Sequence, residues 1–241
     1  MTIKGIIFDL YGTLINILTD ENLEEIYRGI GQFLTYQGLT LSPGEVRERY
    51  WELLRQQKSG SREEHFEMNA LAIWDALLKT AGMSDEAARQ RLSLTLAQLF
   101  RAISRKRLGL YPDVKKVLEA LRPGYRLALV SDAQPCFALP EIKAVGLEGY
   151  FESVIISGSY GFRKPDARLY QAALSALNLT PAEAIFVGND MFRDMYGAQQ
   201  VGMKTIYIDT DQGVKTHPGV TPDVAAKFFA DVAAGIERLV R

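Results

Sequence analysis

Residues 3–14, Ile3-Lys4-Gly5-Ile6-Ile7-Phe8-Asp9-Leu10-Tyr11-Gly12-Thr13-Leu14, set the frame for the rest of the chain. They begin as an isoleucine-rich apolar run, become acidic at Asp9 and turn at Gly12. Such a run reads as a buried strand. A carboxylate at the strand's C-terminal end, followed by a glycine turn, stands where open α/β sheets carry ligand chemistry. Taken alone, the same residues also describe a strand that closes in an Asx-type turn.

Downstream, short apolar runs alternate with helical patterns. Arg126–Ser131, Ser153–Ser157, Ala184–Gly188 and Lys204–Ile208 read as further strands. Helices are expected from Pro112-Asp113 to Leu121, from Pro165 to Leu177, and from Asp194 to Val201, the last capped by Gly202. The tail, Pro222–Arg241, reads mainly as amphipathic helix. Strands that alternate with helices predict a parallel sheet with right-handed crossovers.

Between Asp20 and Lys106 the pattern is helical, with no convincing strand. Leu23, Ile26, Tyr27 and Ile30 recur at helical spacing. Ser42-Pro43 with Glu45 marks a helix start. Ser61 with Glu64 resembles a capping box for the helix that carries Trp74, and Ser84 opens a fourth helix. Lys58–Ser61 is the expected loop. The expected fold is therefore α/β: a Rossmann-like parallel-sheet core, residues 1–15 plus 107–241, with an inserted α-helical cap, residues 16–106.

Parallel strands present their C-terminal ends on one edge. Those ends carry Asp9, then Ser131 and Asp132, then Asn189, Asp190 and Asp194, and the loop after the third strand adds Lys164. Each has a bland reading: Asp190 and Asp194 suit a helix N-terminus, and Lys164 suits a solvated loop. Their convergence on one edge favours a site.

Four segments together resemble the haloacid dehalogenase-like (HAD) hydrolases: Asp9-Leu10-Tyr11-Gly12-Thr13-Leu14, Val130-Ser131-Asp132, Lys164-Pro165, and Gly188-Asn189-Asp190 with Asp194. The resemblance implies that Asp9 forms a covalent aspartyl intermediate. It implies that Thr13 and Ser131 hydrogen-bond the nucleophile or substrate anion, and that Lys164 holds both charges together. That last task is worth on the order of 4 kcal/mol at ~4 Å and an effective dielectric near ~20. Tyr11, Gly12, Asp132 and Tyr170 are the expected substrate-binding residues. The phosphatase branch implies Mg²⁺, held by Asp9, the Tyr11 carbonyl and Asp190, with Asn189 and Asp194 as alternatives.

One residue departs from the phosphatase pattern. Phosphatases of the family carry an acid/base Asp two residues after the nucleophile, and this chain has Tyr11, as the dehalogenases do. Arg163–Tyr170 also resembles the dehalogenase third motif. Halide leaves without a proton, whereas an alkoxide needs one, and a lost general acid costs ~10²–10⁴-fold. Asp190 points the other way, because two carboxylates in one site call for a cation. The expected function is Mg²⁺-dependent hydrolysis of a small phosphorylated metabolite. Metal-free 2-haloacid dehalogenation, with Arg47, Arg49 or Arg55 as the anion-binding arginine, and a non-catalytic relative are the alternatives.

Composition narrows the partners. Of 241 residues, 47% are hydrophobic and 24% charged, with a net charge of −1, which argues against a nucleic-acid footprint. A small anionic molecule is the expected partner, without nucleic acid or membrane. The single cysteine, Cys136, suits a reducing compartment and reads as a subsurface residue. His65 and His217 lack metal-ligand spacing. No apolar run approaches the ~20 residues of a membrane span, and Asp9 interrupts any signal-like run, so the expected location is cytoplasmic.

Overall fold

β1 (Gly5–Phe8) is buried at all four positions and lies at the centre of the sheet. The computed structural model describes residues 2–240. After β1 the chain turns through Gly12 into β2 (Ile15–Thr19). Four helices follow: α1 (Glu24–Thr35), α2 (Pro43–Gly60), α3 (Ala70–Thr80) and α4 (Glu86–Ser104). β3 (Arg105–Leu110) then returns antiparallel to β2. The remainder runs α5 (Val114–Leu121), β4 (Arg126–Ser131), α6 (Pro135–Ala144), β5 (Ser153–Ile156), α7 (Ala167–Ala176) and β6 (Ala184–Gly188). It ends with α8 (Gly197–Gln200), β7 (Lys204–Ile208), β8 (Val224–Ala226) and α9 (Val232–Val240).

The main sheet has the order β5-β4-β1-β6-β7-β8, and every pairing is parallel. From β1 the chain moves out through β4 to β5, then crosses back to β6 and on to β8. This reversal beside β1 opens a crevice at the strands' C-terminal ends. Side chains alternate between the two faces of the sheet. Ile6 and Phe8 pack with Leu129, Val187 and Val232 on one side, and Ile7 packs with Val130, Phe186 and Leu169 on the other. Double-sided burial is why these strands read as continuous apolar runs.

The helices between β2 and β3 enclose an apolar cluster of their own, including Ile26, Tyr27, Tyr50, Trp74, Leu77 and Phe100. The Tyr50 ring lies 4.7 Å from Phe100 and 5.1 Å from Trp74, centroid to centroid. α2 opens with the expected capping box of Ser42 and Glu45.

Several local expectations change. β2 and β3 form a two-stranded ribbon that the pattern hides, because Arg105, Lys106 and Arg107 are exposed and the strand exists only through its pairing. Lys58–Gly60 belongs to the end of α2, and Ser61 does not start a helix. Residues 61–69 instead lie across the core: the Glu67 N–H donates to the Gly161 carbonyl at 3.0 Å and the Arg163 N–H to the His65 carbonyl at 2.8 Å. Asn69 caps α3, and Asp85, not Ser84, caps α4. α6 escapes the sequence pattern because it holds two prolines, Pro135 and Pro140. Cys136 lies half-buried beside the helical cluster, where burial pushes its thiol up to about 11. In the tail the three-residue β8 precedes α9, and Arg241 lies outside the described residues.

Candidate active site

Asp9 leaves the end of β1 with its carboxylate buried. One oxygen accepts from Lys164 Nζ at 2.6 Å, the other from the Thr13 hydroxyl at 2.8 Å. Gly12 makes this turn possible. Its φ is +89°, and a Cβ there would come within 2.5 Å of the Asn189 amide nitrogen.

Lys164 is 3% exposed and also donates to Asp194 Oδ1 at 2.7 Å. Burial opposes its charge, but Asp194 and Asp9 outweigh that effect and hold its pKa above the ordinary value. Asp194 is buried as well. Its Oδ2 accepts from the N–H groups of Asn189 and Asp190, both at 3.0 Å. Burial pushes its carboxyl up to about 7, against the pull of Lys164. Asp194 thus orients the lysine and ties down the loop after β6. A side chain at Gly188 would collide with it.

Asp190 does not offer a free oxygen to a ligand opposite Asp9. It caps the π-helical turn Met191–Tyr196. Oδ1 accepts from the N–H groups of Phe192 at 3.0 Å and Arg193 at 2.8 Å. Oδ2 accepts from Arg193 Nε at 3.0 Å and Nη2 at 2.8 Å, and from the Val214 N–H at 3.0 Å. Asn189 is the fourth-motif side chain turned toward the nucleophile strand, with Oδ1 lying 3.0 Å from the Thr13 hydroxyl. The one-residue choice between Asn189 and Asp190 is set by this cap, because the first turn of the helix needs an acceptor.

Ser131 Oγ and Asp132 Oδ2 are buried without a hydrogen-bond partner. Asp132 Oδ1 accepts from the Lys164 N–H at 2.9 Å, and burial pushes its carboxyl up. Tyr170 goes elsewhere. It is fully buried on α7, its ring edge-on to Phe186 at 5.2 Å, and its hydroxyl donates to the Arg193 carbonyl.

Asp9, Tyr11, Asp132, Lys164, Asn189, Asp190, Arg193 and Asp194 line one polar cavity of about 50 Å³. Four carboxylates face two cations there, an excess of negative charge. Among the described residues no group of three or more His, Cys, Asp or Glu is placed to hold a metal.

Sequence reasoning missed the other wall. The Tyr11 phenol donates to Glu141 on α6, and Glu141 also accepts from Arg101 of α4. Burial and then the Glu141 carboxylate push the Tyr11 phenol well above its ordinary 10.0. Arg101 lies against the Tyr11 ring without lining the cavity, whereas Arg47 lies over the Tyr27 ring and Arg49 pairs with Glu45. The available signal was a charge on an apolar face: Arg101 follows Ala97 and Phe100 on the buried side of α4, and Glu141 sits between Ala138 and Ile142.

A Thermus thermophilus protein named phosphoserine phosphatase is 34% identical to this chain over 176 residues, 68% of each. A 2-haloacid dehalogenase structure from Pseudomonas syringae pv. Tomato superposes with a TM-score of 0.69 at 22% identity, covering 98% of this chain and 99% of that one. A HAD phosphatase structure from Thermococcus onnurineus gives 0.62 at 23% identity, covering 97% and 98%. Both share the parallel-sheet fold with this chain. Residues 3–202, which carry all four segments from Asp9 to Asp194, match the haloacid dehalogenase-like hydrolases, and the chain belongs to that family.

Proposed function

We propose that this hydrolase cleaves a small phosphorylated metabolite through a covalent intermediate at Asp9. The observation that carries the reading is the buried Asp9 carboxylate held between Lys164 and Thr13 at the head of a polar cavity. The relative named phosphoserine phosphatase supports the phosphate class. Asp9 forms a bond to phosphorus as the leaving oxygen departs, and water then hydrolyses the aspartyl phosphate. Lys164 holds the nucleophile and the incoming anion. Ser131 Oγ has no protein partner and is free to donate to a phosphoryl oxygen. We read residues 16–106 as the cap that excludes water and selects the leaving group.

The donor set suits a hard dication. Asp9, the Tyr11 carbonyl and the Asn189 amide offer oxygen ligands, and the cavity carries excess negative charge. With Asp190 committed to its cap, Asn189 takes the place expected for it, which leaves a weaker site with one ligand carboxylate. When bound, Mg²⁺ lowers the repulsion between a carboxylate and an anionic phosphate.

The Tyr11 proton is directed to Glu141, so this position supplies no ready acid to a leaving group. Aryl and acyl phosphates are therefore expected to turn over faster than alkyl phosphates. Asp9→Asn is expected to remove turnover of an aryl phosphate by on the order of 10⁴-fold or more. Equal rates on alkyl and aryl esters, or full activity in excess chelator, would count against the reading. A second reading, 2-haloacid dehalogenation, is favoured by Tyr11 together with Asn189 in place of a free carboxylate. Halide release from 2-chloropropionate without added metal would promote it.

A further inference from the structure

Glu141 is a buried carboxylate at which three separate parts of the chain meet, and the proposed chemistry does not use it. It is 3% exposed. Arg101 Nε donates to Oε1 at 2.8 Å and Nη2 to Oε2 at 3.0 Å, a two-pronged ion pair. The Tyr11 phenol donates to Oε2, and Arg105 Nη1 lies 3.5 Å from Oε1. Arg101 closes α4, Arg105 opens β3, and Tyr11 follows Asp9 by two residues. The Arg101 guanidinium also lies 5.4 Å from the centroids of both the Tyr11 and Phe137 rings.

A carboxylate is buried at tolerable cost only while its charge is paired. Displacing α4 from α6 would strip Glu141 of Arg101 and leave the Tyr11 phenol against an uncompensated charge. The cavity beside Asp9, about 50 Å³, is far smaller than the ~300–1,000 Å³ of ordinary ligand sites. No residue of the helical insert lines this cavity, and Tyr11 ties it to the insert through Glu141 and Arg101. The other seam, where Gln134 Nε2 donates to the Met68 carbonyl at 2.6 Å and the Ala70 N–H donates to Gln134 Oε1 at 3.0 Å, holds one carboxylate, Glu67, which accepts from the neutral donors Gln134 Nε2 at 3.2 Å and Ser157 Oγ at 2.7 Å. The Arg101–Glu141 seam is the one that includes a residue lining the Asp9 cavity, Tyr11.

We propose that Glu141 is a positioning residue that joins closure of the helical insert to the placement of Tyr11 beside Asp9. The inference rests on the reading of Asp9 as the nucleophile only for its kinetic consequence. With the insert closed, the Arg101–Glu141 pair fixes the phenol. With the insert displaced, Arg101 leaves and the Tyr11 phenol stays on a Glu141 that has lost its counter-charge, so its placement is no longer fixed.

Two measurements on the full chain test this. Amide hydrogen exchange in β2, β3 and residues 65–67 is expected to quicken at least tenfold in Arg101→Gln and in Glu141→Gln, with no further gain in the double variant. For 4-nitrophenyl phosphate, both variants are expected to raise KM several-fold with a smaller change in kcat, and Arg101→Lys to recover part of it. Tyr11→Phe is expected to add nothing in the Glu141→Gln background. Unchanged exchange in folded variants, or additive effects of Tyr11→Phe and Arg101→Gln, overturns the proposal. Should a variant fail to fold, Arg101→Lys carries the exchange measurement alone. If the native chain hydrolyses no phosphate ester, the phosphatase reading fails, and the exchange result still decides the role of Glu141.

Discussion

The floor of the cavity joins one buried cation, Lys164, to two carboxylates, Asp9 and Asp194, while an adjoining network, the roof, joins one buried carboxylate, Glu141, to two arginines and to the phenol of the cavity-lining Tyr11. The floor stands on the ends of strands whose register is set by burial on both faces of the sheet. The roof forms only where α4 of the helical insert meets α6. The two walls have opposite charge balance. A negative floor suits a cation and a nucleophile, whereas the arginines of the roof pair with Glu141 and do not line the cavity. The difference teaches that the chemistry proposed for Asp9 and the closure proposed for Glu141 rest on separate ion networks, which single substitutions separate.

The largest stability effect is expected on the floor. Lys164→Met leaves two buried carboxylates without their counter-charge and should cost about 5 kcal/mol, the upper part of the range for a broken buried pair. Urea denaturation measures it, and a loss below about 1 kcal/mol would show the floor to be solvated in solution. Trp74→Ala strikes the apolar cluster that supports the roof and should cost about 4 kcal/mol. Hydrogen exchange is expected to rise in α2, α3 and α4 before it rises in β1 and β6. Uniform loss across both would make floor and roof one cooperative unit.

A smaller effect sharpens the metal reading of the floor. Asn189→Asp adds a second ligand carboxylate and should tighten Mg²⁺ binding by about tenfold, or ~1.4 kcal/mol. Calorimetric titration with Mg²⁺ reads this without any substrate. Weaker binding in the variant would move the site away from Asn189.

The smallest effect lies at the far end of the floor's strands. Lys4, just before β1, donates to Glu183, just before β6, at 2.6 Å. This bond, with those from Thr180, lowers the Glu183 carboxyl from 4.5 to about 2. A carboxyl depressed by folding adds stability that is present above 4.5 and is lost as pH falls through about 2. Glu183→Gln should therefore flatten the acid limb of a stability profile in that window, leaving the variant slightly less stable at neutral pH and equal to the native chain below about pH 2. An identical acid limb would mean that the pair is solvated.

The strands were legible for a physical reason. Arg126–Ser131, Ala184–Gly188 and Lys204–Ile208 fall where the apolar runs put them, because a central parallel strand must be apolar on both faces. β2 and β3 were not legible, since an exposed ribbon places no such demand on its residues. The same contrast holds in the site. Asp9, Thr13 and Lys164 meet because each sits at or just beyond a strand end. Asp190 and Asn189 are neighbours with nearly interchangeable chemistry on paper. Helix capping takes one of them and leaves the other facing Thr13.

By itself, then, the sequence determined five of the sheet's six strands, the edge that carries the candidate site and the meeting of Asp9 with Lys164, since burial periodicity and chain direction dictate all three. Only the tertiary structure decided that Asp190 serves a cap, that Tyr170 lies in the core, and that Tyr11 is held by Glu141 and Arg101. Those outcomes depend on which partners meet across distant segments, and no local pattern in residues 3–14 encodes them.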